Sequence, residues 1–374
     1  MAIDRRREFP ITQNWVYLNH ALISPLPASS TLAATRRMHS FARSGLGSYK
    51  AIRRNTSRLL DQLSVFLDTP KDNILLFGNL SEAVLFLRHR FPVTPGKNII
   101  GVGIPEAHRP AWNLWNSRNI EVVFSEADMF DDLTSEILNN AAILALNPIN
   151  VPQADFQSIG KYADCCKENG SIFLADLSFA AGINQISPAG LGIDILLLET
   201  HRWMLGTPDL VVMCVTDPVA RSMRLPKKFS LRDVLGAEPN PTEQPEFLSL
   251  PSLFDQSGLF ASQASLAKSI QLLEETGIVE IQNRISAFNT QTANGLREEG
   301  FSIAPQTHIN FLTGILAAKH VQLPAKVLCE ELFKHRIQVG WKQDHLWISP
   351  HFYNNENDLQ KFLDAIRTIK AIHR

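Results

Sequence analysis

Short segments that are apolar throughout recur along the first 215 residues, separated by stretches in which apolar positions have helical spacing. Strands that are apolar on every position, rather than on alternate ones, are typical of a sheet covered on both faces. The predicted strands are ILLF (74–77), NIIGV (98–102), IEVVF (120–124), AILAL (142–146), SIFLA (171–175), IDILLL (193–198) and VVMCV (211–215). The pattern therefore predicts an α/β fold built on a seven-stranded, mainly parallel sheet.

Helices are predicted between these strands and in the last third of the chain. SEAVLFLRHRF (81–91) and FQSIGKYADCCKENG (156–170) have helical spacing, and Gly170 is placed to end the second helix. The later predicted elements are a crossing loop over 226–251, helices over 263–275 and 279–300, and strands near 309–313, 338–340 and 346–348. This organisation predicts an N-terminal arm (1–30), a large α/β domain (31–250) and a small α+β domain (251–374).

Composition and charge exclude several classes of protein. The 374 residues are 45% hydrophobic and 20% charged, which is typical of a soluble globular chain of about two domains. A formal charge of −1 gives no overall field for nucleic acid or a membrane surface, and no apolar run reaches the about 18 residues of a membrane span. With its charged N-terminus, we expect a cytoplasmic protein that binds neither nucleic acid nor membranes. The four cysteines lack metal-binding spacing, so reduced structural thiols and no metal site are expected.

Polar residues follow four of the predicted strands, at the sheet edge where ligands of such folds bind. The turn Gly78-Asn79-Leu80-Ser81 opens a helix, where free amides can hold a phosphate, although helix capping alone would also explain it. Glu106-Ala107-His108-Arg109 follows the second strand. Asp176 ends the fifth strand, and Glu199-Thr200-His201-Arg202-Trp203 ends the sixth. A carboxylate at the buried end of a strand, such as Asp176, needs a cationic or hydrogen-bonding partner.

The order of these features resembles the class V aminotransferases, which are fold type I enzymes that use pyridoxal phosphate and include the cysteine desulfurases. The resemblance extends over almost the whole chain. The segments that carry it are YLNHALISPLP (17–27), GNLSEAV (78–84), EAHRPAW (106–112), LNPINVP (146–152), FLADLSFAAGI (173–183), GIDILLLETHRWMLGTPDL (192–210) and LWISPHFYNNENDLQKFL (346–363). It implies a fold type I scaffold with a smaller carboxy-terminal α+β domain, and a homodimer with its sites at the subunit interface.

The resemblance also implies roles for individual residues. Gly78, Asn79, Leu80 and Ser81 would form the turn that holds the cofactor phosphate. His108 would stack on the cofactor ring, and Asn150 would lie beside it. Asp176 would pair with the pyridine nitrogen. Each of these assignments matches the family's motif at that position.

Five positions depart from the family's pattern. The lysine that binds the cofactor covalently is replaced by Arg202, after His201, and a guanidinium cannot serve as that amine. Glu199 brings a negative charge toward the phosphate, and Phe179 cannot donate a hydrogen bond to the ring hydroxyl. Gly258-Leu259 lacks the donor that would reach the phosphate across the dimer, and Trp347 stands where an arginine would bind the substrate carboxylate.

These departures predict a chain that kept the fold and lost conventional pyridoxal phosphate chemistry. It would be a non-catalytic or repurposed homologue that binds a small anionic ligand or a partner. It would assemble as a homodimer or as a heteromer with an active relative. Any pyridoxal phosphate would be bound non-covalently. Two alternatives remain open. One is an enzyme without the cofactor that uses an acid–base cleft; its members would be Asp176, Glu199, His108, His201, Arg109 and Arg202. The other is a pyridoxal phosphate enzyme in which Lys227 or Lys228 supplies the amine.

A buried arginine at a sheet edge requires compensation by a carboxylate. We therefore predict an ion pair between Arg202 and Asp176, which would hold Asp176 ionised. Elsewhere, Trp112 and Trp115 are three positions apart on a helix and are expected to pack in the core. His345 and His351 do not have the spacing of a metal site and are expected to be exposed or capping residues.

Overall fold

A computed structural model of the chain describes residues 5–91, 93–94, 96–117, 120–125, 140–150, 155–223, 259–304 and 313–373. Its strands are β1 (Val16–Leu18), β2 (Ile74–Phe77), β3 (Asn98–Val102), β4 (Val122–Ser125), β5 (Ala141–Leu146), β6 (Ile172–Asp176), β7 (Ile195–Glu199), β8 (Val211–Val215), β9 (Phe301–Ile303), β10 (Leu316–His320), β11 (Ile337–Lys342) and β12 (His345–Ile348). They form two sheets, one of seven strands and one of five.

All seven apolar runs become strands of the large sheet, whose order is β2-β8-β7-β6-β5-β3-β4. Only β8 runs antiparallel to its neighbours, and the remaining adjacent pairs are parallel. The predicted mainly parallel, seven-stranded sheet is confirmed. Strand bounds differ from the predicted ones by two residues or fewer; β4, for example, begins at Val122 rather than at Ile120.

The helices are α1 (Ala28–Ser44), α2 (Tyr49–Phe66), α3 (Leu80–Arg90), α4 (Arg109–Asn113), α5 (Phe156–Asn169), α6 (Asp217–Met223), α7 (Phe260–Thr276), α8 (Ile278–Glu298), α9 (Ala325–Lys334) and α10 (Glu356–Ile372). Asp155 caps the start of α5, and Gly170 ends it in the left-handed conformation with φ 66°, as predicted. The predicted helices over 263–275 and 279–300 correspond to α7 and α8.

The small sheet has the order β1-β11-β12-β10-β9. Its first strand comes from the N-terminal segment, because β1 pairs in parallel with β11. Helices α8, α9 and α10 contribute apolar side chains to the core beside this sheet. The strand predicted near 309–313 lies outside the described residues except for Thr313, which is in a bend. The predicted loop over 226–251 lies outside the described residues, as do Lys227 and Lys228.

Both faces of the large sheet are buried under apolar side chains. Leu144, Phe173 and Leu196 point to one apolar cluster, whereas Ile143 and Leu174 point to another. Apolar residues on every position of these strands are thereby explained. Trp112 and Trp115 pack in the second cluster, so their predicted core position is confirmed. Among the helices that the structure describes, none is long and apolar enough to cross a membrane.

Candidate functional site

Two carboxylates lie side by side at the carboxyl edge of the large sheet. Asp176 ends β6 and Glu199 ends β7, and the register of the two strands pairs Asp176 with Leu197. Ser178 links the two strand ends, because its hydroxyl donates to Asp176 Oδ1 and accepts from the backbone N–H of Glu199 at 2.8 Å. The polar residues that follow separate strands in the sequence are thus brought to one edge.

Arg202 lies at this edge with its side chain only 11% exposed. Its Nη2 donates to Glu199 Oε2 at 2.9 Å, and its Nη1 donates to the backbone oxygens of Ala21 and Leu22. The guanidinium carbon lies 4.1 Å from the centre of the Phe179 ring, which is a cation–π geometry. The predicted ion pair between Arg202 and Asp176 is therefore wrong: the carboxylate three residues earlier in the same turn takes that place.

Asp176 is satisfied by neutral donors instead of by a cation. Asn147 Nδ2 donates to Asp176 Oδ2 at 2.8 Å, and the backbone N–H of Ser178 donates to Oδ1 at 3.1 Å. Full burial, reinforced by the charge of Glu199, raises the pKa of Asp176 despite the Ser178 hydrogen bonds. The pKa of Asp176 is thus raised, whereas the predicted pairing with Arg202 would have lowered it.

The pKa of Glu199 is shifted in the opposite direction from that of Asp176. Burial alone would raise its pKa, but the charges of Arg202 and His201 and the hydrogen bond from Arg202 outweigh burial and lower the pKa. Burial, reinforced by Arg202, lowers the pKa of His201 to about 4. His108 Nε2 lies 4.0 Å from Glu199 Oε2. At neutral pH the edge therefore holds a paired guanidinium and carboxylate beside a neutral His201.

In the turn predicted to hold a phosphate, backbone N–H groups donate to side chains of the same turn. Asn79 caps α3 by accepting from the backbone N–H of Glu82 at 2.9 Å. The carboxylate of Glu82 accepts from the backbone N–H of Gly78 at 2.8 Å. The amide of Gly78 is therefore not free, contrary to the prediction, whereas Leu80 and Ser81 begin the helix as expected.

Asn150 lies in the turn after β5 and contacts the small sheet. Its Nδ2 donates to the backbone oxygen of Gly103 at 2.8 Å, and its Oδ1 accepts a hydrogen bond from Nζ of Lys342. Lys342 Nζ also lies 5.2 Å from the ring centre of Trp347. Burial lowers the pKa of Lys342. A cation of the small sheet thus reaches the carboxyl edge of the large sheet.

Sequence reasoning missed four residues of this site: Asn147, Ser178, Glu82 and Lys342. Asn147 and Glu82 carried a local signal, because an asparagine directly after a strand and an acid three residues after a capping asparagine are recurring patterns. Lys342 carried none, since 192 residues separate it from Asn150. Of the predicted pair Gly258-Leu259, Gly258 lies outside the described residues and Leu259 packs against the core.

Two further histidines were predicted to be exposed or capping residues. His351 is fully buried: its Nε2 lies 3.1 Å from the backbone oxygen of Trp203, and its Nδ1 accepts from the backbone N–H of Phe352. His345 begins β12 and is half-buried. In the part of the chain that the structure describes, no group of three or more His, Cys, Asp or Glu side chains is arranged to hold a metal ion.

Comparison with known proteins gives consistent matches over most of the chain. The family model for aminotransferase class V matches residues 61–362. A probable cysteine desulfurase of Methanothermobacter thermautotrophicus is 23% identical over 229 residues, which cover 57% of this chain and 56% of that protein. YcbU of Bacillus subtilis, described as an uncharacterized aminotransferase, is 19% identical over 99% of this chain and 98% of its own length.

Solved structures show the same fold. The apo cysteine desulfurase of Thermococcus onnurineus NA1 aligns with a TM-score of 0.80 and 16% identity, covering 98% of this chain and 97% of that one. The cystine C-S lyase C-DES, solved with its reaction product cysteine persulfide, aligns with a TM-score of 0.78 and 15% identity, covering 96% and 98%. The fold is that of the fold type I pyridoxal phosphate enzymes.

Proposed function

Because the chain belongs to the class V aminotransferase family, we propose that it is a homologue that has lost conventional pyridoxal phosphate chemistry and binds a small anionic ligand non-covalently. The observation that carries this proposal is the placement of Arg202. Its guanidinium is paired with Glu199, lies over Phe179 and donates to the backbone of residues 21 and 22. This side chain is committed to contacts within the protein, and no deprotonated amine is available at its position.

The surroundings of Arg202 also do not fit pyridoxal phosphate. The Gly78 amide, which would face the phosphate, already binds the Glu82 carboxylate. Glu199 adds a second carboxylate, whose lowered pKa keeps it ionised at neutral pH. Two carboxylates near a phosphate dianion oppose its binding. We therefore assign no chemical step to the cofactor in this chain.

A spectroscopic experiment tests the proposal. The purified protein is mixed with pyridoxal phosphate and dialysed, and its visible spectrum is recorded. It is then reduced with borohydride and mapped by peptide mass spectrometry. We expect no visible absorbance and no pyridoxyl group on any lysine. We also expect that Arg202→Lys restores little, because Glu82, Glu199 and Phe179 remain. A labelled lysine in the wild-type protein would overturn the proposal.

Two observations favour alternative functions. The half-buried amine of Lys342 beside Asn150 supports a pyridoxal phosphate enzyme with a different lysine, of the kind that the cysteine desulfurase relatives represent. The opposite pKa shifts of Asp176 and Glu199 support an acid–base enzyme without the cofactor. Peptide mapping distinguishes the pyridoxal phosphate enzyme from the other two functions, because the pyridoxyl label would lie on Lys342. Turnover of a small organic acid that is abolished by Asp176→Asn would support the second.

We further propose that the chain forms a homodimer. Helix α1 carries large apolar side chains on its surface: Leu32, Met38 and Phe41 are 48%, 60% and 48% exposed. Met38 and Phe41 are three positions apart and lie on the same side of the helix, and contiguous exposed apolar surface is typical of a protein interface. Light scattering after size-exclusion chromatography would give twice the 41.8 kDa mass of the chain. A monomer at micromolar concentration would contradict this proposal.

A further inference from the structure

A cavity of about 400 Å³ lies beside the small sheet. Its walls are the N-terminal segment 12–16, the turn 335–337 and one side of α10. That turn leads into β11, whose other end, at Lys342, contacts the large sheet. The six residue steps from Arg336 to Lys342 span about 20 Å in an extended strand. The cavity is therefore separate from the edge of the large sheet, and its volume is that of pockets that hold small molecules.

Two carboxylates line this cavity, and both are paired with arginines. Asp358, in the first turn of α10, is buried and accepts two hydrogen bonds from Arg6, at 2.6 and 2.9 Å. Asp364, further along the same helix, pairs with Arg367 at 3.0 Å. Because their charges are already compensated, these acids do not make the cavity a site for a cation.

Two cations line the same cavity without such partners. Lys361 lies on α10 between Asp358 and Asp364, three positions from each, and Arg336 directly precedes β11. Within the ranges that the structure describes, neither side chain takes part in a hydrogen bond or an ion pair. The cavity thus carries two uncompensated positive charges, contributed by two separate elements.

The backbone of Arg336 gives independent support for a role of its side chain. Its φ is 59°, in the left-handed region that favours glycine at the end of a helix. Two backbone hydrogen bonds of 3.0 Å hold this conformation: Arg336 donates to Phe333, and Val16 donates to Arg336. A glycine would make both bonds with less strain. An arginine at this position therefore points to a function of the guanidinium, since strained backbone is concentrated at functional sites.

Trp15 supplies an aromatic wall. Its indole is partly exposed, and its ring centre lies 4.8 Å from that of Phe333. A planar ring of a ligand stacks on such a surface. The two cations match a phosphate monoester, which carries close to two negative charges at neutral pH on one group. A guanidinium binds phosphate through two parallel hydrogen bonds, and an ammonium binds it as a point charge.

We propose that this cavity binds a small aromatic phosphate monoester. Arg336 and Lys361 bind the phosphate, and the ring lies against Trp15. The inference goes beyond the proposed function and does not depend on it, because none of the three residues belongs to the edge of the large sheet. A bound ligand also ties the N-terminal segment to β11 and α10, from which the walls of the cavity come.

The test uses the full-length protein and three probes: phenyl phosphate, inorganic phosphate and benzoate. Isothermal titration calorimetry gives each Kd, and thermal unfolding gives the ligand-dependent change of Tm. We expect phenyl phosphate to bind and to raise Tm. The other two should bind at least about tenfold more weakly, because inorganic phosphate lacks the ring and benzoate carries a single charge. Absence of phenyl phosphate binding, or equal affinity for the three probes, would overturn the inference.

The first pair of variants separates binding from folding at Arg336. Arg336→Gly removes the guanidinium at a position that favours glycine, so it should not lower Tm without ligand. It should raise the Kd for phenyl phosphate about tenfold or more, as the loss of a charged hydrogen bond does. Gln343→Gly makes the same change at φ 50°, outside the cavity lining, and should leave the Kd unchanged.

The second pair tests the lysine. Lys361→Met should also raise the Kd for phenyl phosphate about tenfold or more. Lys326→Met removes an exposed lysine of α9 that does not line the cavity, and it should have no effect on binding. A wild-type Kd in either Arg336→Gly or Lys361→Met would contradict the assignment of the phosphate to these two cations.

Discussion

Two groups of buried polar residues, here called layers, lie near each other in this protein. One contains charged, paired side chains, and the other contains neutral ones. The ionic layer consists of Asp176, Glu199 and Arg202 at the edge of the large sheet. The neutral layer consists of His20, His351 and Tyr353, all fully or almost fully buried. Arg202 follows Glu199 by three residues, and the backbone oxygen of Trp203, the next residue, accepts from His351. The two layers therefore meet at one turn.

The hydrogen bonds of the neutral layer fix the tautomers of both histidines. His20 Nδ1 lies 3.0 Å from the backbone oxygen of Ser349 and so carries the proton, while its Nε2 accepts from the hydroxyl of Tyr353 at 3.1 Å. His351 Nε2 carries its proton toward Trp203, and its Nδ1 accepts from the backbone N–H of Phe352 at 2.9 Å. A second proton on His351 would point at a donor.

The difference shows what decides whether a buried group stays charged. In the ionic layer, Arg202 lies against a carboxylate, so Glu199 keeps a lowered pKa in spite of its burial. In the neutral layer no carboxylate among the described residues pairs with either histidine, and burial lowers the pKa of His351 to about 4. Both layers nonetheless serve one purpose, since each ties the N-terminal segment to the rest of the molecule: Arg202 through Ala21 and His20 through Ser349.

The largest effect is expected from breaking the ionic pair. Arg202→Met leaves Glu199 buried and unpaired, and we expect a loss of about 3–5 kcal/mol in the free energy of unfolding. The double variant Arg202→Met with Glu199→Leu should be markedly more stable than the single one. Urea unfolding measures both.

The control for this experiment is Lys71→Met, which removes an exposed pair with Asp61 and should change stability far less than Arg202→Met does. If Arg202→Met and Lys71→Met were equally stable, the ionic layer would contribute no more than a surface pair.

Acid should weaken the neutral layer. The pKa of His351 is lowered in the folded state, so the unfolded chain binds protons more readily and stability is lost as pH falls from about 6.5 toward 4. The loss for this one residue is up to about 3 kcal/mol. Burial also lowers the pKa values of His20 and His201, which add to the same loss. His351→Gln, which keeps an N–H donor and does not titrate, should therefore reduce the dependence of Tm on pH between 7 and 4.5 by the share of this one residue. His39→Gln changes an exposed histidine and should leave that dependence unchanged; an unaltered slope in His351→Gln would contradict the assignment.

A smaller effect on stability is expected at Asp176. This member of the ionic layer is hydrogen-bonded by neutral donors, as the residues of the neutral layer are. Asn147→Ala removes a neutral donor from Asp176 Oδ2 and should cost about 1–3 kcal/mol, as for a buried acceptor left without a partner. Asn294→Ala, on the exposed face of α8, should change stability by less than about 0.5 kcal/mol. Thermal or urea unfolding of the two variants makes the comparison, and equal values would show that Asp176 does not depend on Asn147.

The smallest effect is expected at Glu82, an exposed carboxylate that accepts hydrogen bonds from the backbone N–H of Gly78 and from the side-chain amide of Asn79. Glu82→Ala frees the amide of Gly78 and removes a negative charge from the start of α3, and we expect a loss of about 0.3–1 kcal/mol. The loss should shrink in 1 M salt, because exposed charges are screened. A loss as large as that of Arg202→Met would contradict the distinction between exposed and buried acids.

Local patterns in the sequence were sufficient for most of the fold. The apolar runs predicted the strands of the large sheet, and helical spacing together with Gly170 predicted α5 and its end. Because parallel strands present their carboxyl ends together, the strand ends also predicted that Asp176 and Glu199 lie at one edge. The strand predicted near 309–313 stays a prediction, because residues 309–312 lie outside the described part of the chain. The bounds of the domains and the roles assigned by resemblance remain predictions.

The partners of the buried charges were decided only by the tertiary structure. The sequence by itself determined that Asp176, Glu199 and Arg202 lie at one edge, but the prediction paired the arginine with Asp176, whereas the structure pairs it with Glu199. The turn after β7 brings Glu199 within reach of Arg202, while Asn147 and Ser178 already satisfy Asp176. The contact of Lys342 with Asn150 and the burial of His20 and His351 likewise depend on how the two sheets pack, because the residues involved are distant in the chain. The strength of an ion pair depends on distances of a few ångströms between the charged groups. Spacing along the sequence does not give those distances.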